Sequence, residues 1–232
     1  MSLLPVAVID SGIIENTIGF RTEIHQIDIR ETHWWMPKQE NKPIVHSHGT
    51  VVSAILSKYA SDIEIYSLRV FYNDSLTTDC RTLVNALSWC CTHKIPLINL
   101  SLGTVEKRDF KRIESIVTKM TTQGQIIISA YHMNGSFTMP ASHPAVIGVQ
   151  TASDLEGNYY YPIFNNGKCD FVASSRHHIS TKNNTISFQT EVSSSYAVPT
   201  ITAAFANCMV KYPGRDQRYY SEMVKNGIQS LA

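Results

Sequence analysis

The sequence lacks both an excess of one charge and a long apolar run. Its 232 residues include 20 Lys and Arg against 19 Asp and Glu, which leaves a formal net charge of +1. A balance of this kind gives no reason to expect a nucleic-acid partner. The N-terminal stretch LLPVAVI is too short to cross a bilayer and has no signal-peptide flanks, so we expect no membrane span.

The sequence also lacks a C-x-x-C motif, and its number of cysteines is odd. An odd number of cysteines that form no C-x-x-C motif cannot all pair, so we expect free, mostly buried thiols in a reducing compartment. The five residues are Cys80, Cys90, Cys91, Cys169 and Cys208. We therefore expect a cytoplasmic protein. The alternative is a mature fragment cut from a secreted precursor.

No internal repeat, linker or low-complexity segment divides the chain, and 43% of its residues are hydrophobic. This is enough apolar material for one large core. We therefore expect residues 1–232 to form a single domain.

Short apolar runs alternate with longer helical patterns. Strand candidates are PVAVID, IEIYSLRVF, IPLINLSLG, QIIISA and AVIGVQT, separated by helical stretches such as TVVSAILSKYA and FKRIESIVTKMTTQG. This alternation is typical of an α/β protein with a mainly parallel central sheet covered by helices on both faces. The segment 157–187, rich in Asn, Ser and Tyr, predicts loops and hairpins, and the last two helices follow it.

Three polar residues stand at the ends of these predicted elements. Asp10 ends the first strand, His48 begins a helix, and Ser195 precedes Pro199, which suits the first turn of another helix. Ligands of open α/β sheets bind beyond the carboxyl ends of the strands. A serine hydroxyl becomes a good nucleophile when an imidazole takes its proton and a carboxylate holds that imidazole.

Each of these residues also has an ordinary structural explanation. A strand-terminal aspartate can form a turn, a histidine before a helix can be a cap or a core residue, and three serines in a row can be a loop. The order Asp…His…Ser, together with the three local contexts, favours the catalytic interpretation.

The motifs around these residues resemble those of the subtilisin-like serine proteases, or subtilases. VAVIDSGI is similar to the family's aspartate motif, HSHGTVVSAIL to its histidine motif and SSSYAVP to its serine motif. INLSLG and MPASHPAVIGV resemble two further segments, and the similarity extends from Val6 to Met209 in the family's order.

The resemblance implies a three-layer subtilisin-like fold and a serine endopeptidase that hydrolyses peptide bonds through an acyl-enzyme. It makes Asp10 the orienting acid, His48 the general base and acid, and Ser195 the nucleophile. His46 is the wrong choice of base, because the glycine and threonine of the motif follow His48.

The resemblance also assigns substrate contacts. Ser101, Leu102 and Gly103 would pair with an extended peptide as an added strand, which takes affinity from main-chain hydrogen bonds. The substrate is therefore expected to be a peptide or a protein.

The oxyanion segment departs from the family pattern. Ungapped alignment places Met133 where the family has an asparagine, with Asn134 one residue later. We favour Asn134 as the donor after a one-residue shift, while His132 in its place, or no side-chain donor at all, remain alternatives. Asn134 could equally be a turn residue before Gly135. Ser193 stands where glycine is usual and would be strained if the backbone needed positive φ.

We expect no cofactor and no metal. The loop after His48 is too short for the family's structural calcium site, and no carboxylate cluster has calcium spacing. His177 and His178 have no third ligand at zinc-like spacing, so we expect them to be exposed loop residues.

The leading hypothesis is a serine endopeptidase dedicated to processing one peptide or protein. The alternative is a pseudoprotease that binds a peptide or partner without cutting, supported by the altered oxyanion segment and by Ser193. An esterase is a third candidate, although the nucleophile lacks the GxSxG elbow. The sequence indicates neither the cleaved bond nor the oligomeric state.

Overall fold

The computed structural model of the chain describes residues 2–14, 16–29, 47–72, 75–165, 167–182 and 186–227. His46 lies outside these residues. None of the described helices is both long and apolar enough to span a bilayer.

An eight-stranded sheet forms the centre of the molecule, in the order β2-β3-β1-β4-β5-β6-β8-β7. All neighbours in the described sheet are parallel except β7 and β8, which form an antiparallel hairpin. The strands are β1 Leu4–Asp10, β2 Glu23–Asp28, β3 Ile63–Arg69, β4 Leu97–Leu100, β5 Ile126–Ala130, β6 Ile147–Glu156, β7 Tyr160–Asn165 and β8 Lys168–Arg176, with β9 His178–Ser180 and β10 Ser187–Gln189 paired separately. The helices are α1 His48–Tyr59, α2 Cys80–Thr92, α3 Lys107–Thr122, α4 Ser194–Lys211 and α5 Gln217–Gly227.

The alternation of side chains along β1 explains why helices cover both faces of the sheet. Val6 and Val8 point into a core formed with α1, α4 and α5, whereas Ala7 and Ile9 point into a second core formed with α2 and α3. Successive strand residues face opposite sides, so a strand apolar at every position must be covered twice. The expected α/β fold with a mainly parallel sheet and helices on both faces is confirmed.

The last third of the chain contains more sheet than we expected. The segment 157–187 does form hairpins, but β8 is a nine-residue strand that also pairs in parallel with β6. Its interior carries buried polar residues, among them Asp170, Ser174 and Ser175, which break the apolar pattern of a central strand.

Candidate active site

The carboxyl ends of three neighbouring strands lie side by side at one edge of the sheet. β1 ends at Asp10, β4 leads into 101–103, and β5 leads into 131–133. A cavity of about 330 Å³ opens there, lined by these two segments together with His48 at the start of α1 and Ser195 in the first turn of α4. Parallel strands bring their carboxyl ends to the same edge, which is where such sheets bind ligands.

Asp10 and His48 are joined by a direct hydrogen bond. The imidazole Nδ1 lies 2.8 Å from Asp10 Oδ1, and Asp10 is only 1% exposed. Gly49 permits this approach, because a Cβ there would lie 2.6 Å from the Gly12 carbonyl oxygen and 3.1 Å from Asp10 Cβ. Burial acts to lower the pKa of His48, but the charge of Asp10 and its hydrogen bond outweigh burial and raise that pKa.

Ser195 is held by a reciprocal pair of hydrogen bonds to Ser101. Ser195 Oγ donates to the Ser101 carbonyl at 2.9 Å, and Ser101 Oγ donates to the Ser195 carbonyl at 3.1 Å. Pro199 lies in the second turn of α4, not the first as we expected, and has no N–H for that carbonyl. The Ser101 hydroxyl supplies the missing donor.

The structure brings Ser195 and His48 to the same cavity but does not join them. Among the described residues, no hydrogen bond links the two side chains, since the Ser195 hydroxyl is directed to Ser101. A hydrogen bond between the two side chains would require this hydroxyl to rotate away from Ser101.

Comparisons with known proteins agree with this architecture. A model of the subtilase family matches residues 4–232. The chain belongs to the subtilase family. A search of curated proteins found no match. A cold-adapted subtilisin-like serine proteinase superposes with a TM-score of 0.70 at 16% identity, covering 95% of this chain and 80% of that one. The prenylagaramide maturation protease PagA superposes with a TM-score of 0.70 at 18% identity, covering 99% of this chain and 83% of that one.

Family membership makes this subtilase a serine endopeptidase, as the resemblance implied. The two solved structures share its three-layer fold, which confirms that part of the expectation.

Asn134, our candidate oxyanion donor, does not line the cavity. Asn134 Oδ1 accepts from His132 Nδ1 at 2.6 Å and from the Ser136 backbone at 3.0 Å, so it closes its own loop. Met133 and His132 line the cavity, whereas Asn134 does not. Met133 is 61% exposed and provides no hydrogen-bond donor.

Ser193 carries no backbone strain. Its φ of −154° and ψ of 137° are extended, and its hydroxyl caps α4 by accepting from the Ser195 backbone N–H at 3.3 Å. An extended backbone does not need glycine. The strain considered from the sequence therefore does not arise.

Ser101, Leu102 and Gly103 all line the cavity, on the stretch between β4 and an antiparallel bridge that joins Thr104 to Met139. Gly103 has little room, because a Cβ there would lie 2.7 Å from Thr138 Cγ2. The segment is thus available to a ligand while its end is fixed to the opposite wall.

His177 is completely buried, which corrects our expectation of an exposed loop residue, while His178 is exposed. The Nε2–H of His177 donates to the carbonyls of Ser174 and Tyr196, and the Nδ1 of His177 lies 3.3 Å from the Tyr59 hydroxyl. Burial lowers the pKa of His177 to about 4, so the ring is neutral at pH 7. Tyr196 packs in turn on His48, with ring centroids 5.0 Å apart.

One group of side chains has the composition of a metal site. Ligand atoms of Glu23, His25 and Glu64 lie within 4.8 Å of one another among the described residues. They lie toward the amino ends of β2 and β3, opposite the edge that carries Asp10. His25 Nε2 already lies 3.1 Å from a carboxylate oxygen of Glu64 and 3.7 Å from one of Glu23.

Proposed function

We propose that this subtilase cleaves peptide bonds with Asp10, His48 and Ser195 as its catalytic triad. The observation that carries the proposal is the 2.8 Å bond between Asp10 and His48 at the rim of a cavity that also contains Ser195. The order of the three residues along the chain and their positions at element ends support the same roles.

The reaction begins when the Ser195 hydroxyl rotates from the Ser101 carbonyl to His48 Nε2. His48 takes the proton as Ser195 Oγ attacks the scissile carbonyl, and then passes it to the leaving amine. Water hydrolyses the resulting ester with His48 again as the base. Asp10 keeps the Nδ1 proton in place and stabilises the imidazolium that forms in each step.

The first oxyanion donor is the Ser195 backbone N–H, at the positive end of α4, which must exchange its 3.3 Å contact with the Ser193 hydroxyl for the oxyanion. Asn134 stays our candidate for a second donor, which requires its amide to leave the contacts with His132 and Ser136. His132 and the absence of any side-chain donor remain the alternatives. Loss of one such donor costs about 100- to 1,000-fold in kcat.

The substrate is a peptide or protein that lies along Ser101, Leu102 and Gly103 as an added strand. We propose a dedicated processing role rather than general digestion, because short loops, such as residues 60–62 between α1 and β3, favour a narrow substrate. The name of one structural neighbour describes a maturation protease, which supports this role. Five free cysteines favour a reducing, cytoplasmic compartment.

A fluorophosphonate probe tests the proposed nucleophile. We expect the wild type to be labelled at Ser195 and Ser195→Ala to be unlabelled. Ser194→Ala is the matched control and should retain labelling, since that buried hydroxyl points to Met133 Sδ. Peptide-library digestion by the wild type, lost in Ser195→Ala, would then establish cleavage.

A pseudoprotease is the second candidate, favoured by the Ser195 hydroxyl bonding to Ser101 and by Met133 in the oxyanion segment. A folded wild type that binds peptides but is neither labelled nor active would support it and overturn the protease proposal.

A further inference from the structure

A polar cluster around the buried Asp170 lies behind the wall of the active-site cavity, with Tyr131 and Lys168 partly buried beside it. Tyr131, the first residue after β5, lines the cavity and donates from its hydroxyl to Asp170 Oδ2 at 2.8 Å. Asp170 is 0% exposed, and its other oxygen accepts from the Gly148 backbone at 2.7 Å. The Tyr131 side chain is therefore connected to the middle of the sheet through one carboxylate.

Lys168 completes this cluster and extends it to a second segment. Its ammonium lies 2.9 Å from Asp170 Oδ1, and it donates to the Tyr131 hydroxyl at 3.1 Å and to the Ala141 carbonyl at 2.6 Å. Ala141 follows the stretch that contains Thr138, whose side chain accepts from the His132 backbone at 3.2 Å. The Lys168 ammonium thus connects Tyr131, which precedes the proposed oxyanion segment, with Ala141, which follows it.

The Tyr131 ring is also fixed by shape. A Cβ at position 148 would overlap the ring carbon Cε2, so only glycine at this position of β6 leaves room for the ring. The Tyr131 backbone N–H donates to the Val149 carbonyl at 2.9 Å. Backbone, ring and hydroxyl are each held by a different contact.

Stability alone does not explain a charged pair at this depth. Burying an ammonium and a carboxylate costs desolvation free energy, and apolar residues of similar size often serve stability as well. Such a pair fixes the orientation of its side chains, because each of its hydrogen bonds has a defined partner. Because the Lys168–Asp170 pair contacts the Tyr131 hydroxyl, the orientation that it fixes is that of the cavity wall.

We propose that Tyr131, Asp170 and Lys168 are positioning residues that hold the 131–133 segment against the reacting carbonyl. This inference rests on the proposed function, since it assigns these side chains a role in transition-state geometry at the Ser195 site. None of the three exchanges a proton or a bond with the substrate.

Tyr131→Phe tests the proposal, because it keeps the ring over Gly148 and removes only the hydroxyl. We expect kcat on a peptide substrate to fall roughly 10- to 100-fold with little change in KM, as for a slight misplacement of catalytic groups. A peptide boronate, which forms a tetrahedral adduct with the nucleophile, should lose affinity by the same factor. Lys168→Met should act in the same direction.

Tyr160→Phe is the matched control. Tyr160 is also partly buried, packs on Phe171 of the same strand β8, and donates its hydroxyl to the Val224 carbonyl at 3.4 Å. Losing that hydroxyl should change neither kcat nor boronate affinity. If Lys168→Met does not fold, Tyr131→Phe decides the question.

Two failures are distinguishable. A folded Tyr131→Phe with wild-type kcat and boronate affinity, even with a lower melting temperature, overturns the positioning role and leaves the protease proposal intact. A wild type that neither cleaves peptides nor binds the boronate overturns the proposed function, and the positioning role with it.

Discussion

At the scale of single residues, the Asp10 carboxylate determines which nitrogen of His48 carries a proton. Its oxygen lies 2.8 Å from Nδ1, so in the neutral ring Nδ1 is protonated and Nε2 can accept. Asp10 is almost completely buried, which keeps water from competing for this bond. The orientation and the basicity of His48 therefore both depend on one side chain.

We expect Asp10→Asn to lower kcat about 10,000-fold with little change in KM, because the amide can donate to Nδ1 and so favours the wrong tautomer. Steady-state kinetics on a peptide substrate measure the loss. Asp28→Asn is the control, since Asp28 ends β2 at the same edge of the sheet and should leave kcat unchanged. An active Asp10→Asn enzyme would show that the imidazole is oriented by something else.

The pH profile of kcat/KM gives a second test of this pair. In the proposed mechanism His48 must be neutral to accept the serine proton, so kcat/KM should rise with pH, with a midpoint above the ordinary value of 6.5. In Asp10→Asn, burial acts on the ring without the opposing charge, so the midpoint should move to lower pH. Equal midpoints in the two enzymes would contradict the coupling.

At the scale of elements, the start of α4 depends on the segment that follows β4. Pro199 cannot donate to the Ser195 carbonyl, and Ser101 Oγ takes the place of the missing helical N–H. Asn99 orients this hydroxyl by donating to Ser101 Oγ at 3.0 Å. The helix that carries the proposed nucleophile is thus fixed by the strand segment proposed to bind the substrate.

We expect Ser101→Ala to lower the free energy of unfolding by about 1–2 kcal/mol, the usual cost of leaving buried polar groups without a partner. The loss should be smaller in a Pro199→Ala background, because alanine restores the N–H for the Ser195 carbonyl. Urea denaturation of the wild type, the two single variants and the double variant measures the coupling between Ser101 and Pro199.

Ser194→Ala combined with Pro199→Ala is the control for this cycle. The Ser194 hydroxyl is directed to Met133 Sδ at 3.7 Å, so its effect should add to that of Pro199→Ala. If Ser101→Ala is equally additive with Pro199→Ala, the carbonyl contact does not hold the helix.

Elements with a continuous apolar pattern could be predicted from the sequence. β1, β4 and β5 coincide with short apolar runs that are buried on both faces, as expected for central strands of a parallel sheet. β3 was also predicted, although Glu64 and Tyr66 on one of its faces are only partly buried. β8 could not be predicted in this way, because Lys168 and Asp170 interrupt its apolar pattern and find partners only in the folded sheet.

The same distinction holds at the site. Asp10, His48 and Ser195 lie in motifs that mark element ends, so the sequence could identify them as candidates. The burial of His177 depends on partners from distant segments, and no local pattern indicates it. Asn134 instead bonds to His132 and Ser136, two residues away on either side, as the alternative of a turn residue before Gly135 implied.

At the scale of the whole molecule, strand order brings distant parts of the chain to one place. β1, β4 and β5 are neighbours in the sheet, so Asp10, the 101–103 segment and the 131–133 segment meet at adjacent strand ends. α1 and α4 pack on one face of that sheet and add His48 and Ser195. The cavity is therefore assembled by the pairing of these three strands and the packing of both helices against them.

His177 connects three parts of this assembly. It contacts Tyr59 at the end of α1, Ser174 in β8 and Tyr196 in α4, and the last of these packs on His48. Burial holds its folded-state pKa near 4, below the ordinary value of 6.5. Between these two values the unfolded chain binds a proton that the folded chain does not, so acidification favours unfolding.

We expect the free energy of unfolding to fall by roughly 3 kcal/mol between pH 6.5 and 4 through His177 alone, at about 1.4 kcal/mol per pH unit. Chemical denaturation across this range should give a shallower pH dependence for His177→Gln than for the wild type, even if the variant is less stable at pH 7. His178→Gln, at the exposed neighbour, should keep the wild-type slope. Parallel curves for wild type and His177→Gln would mean that the buried ring is not the acid-sensitive group.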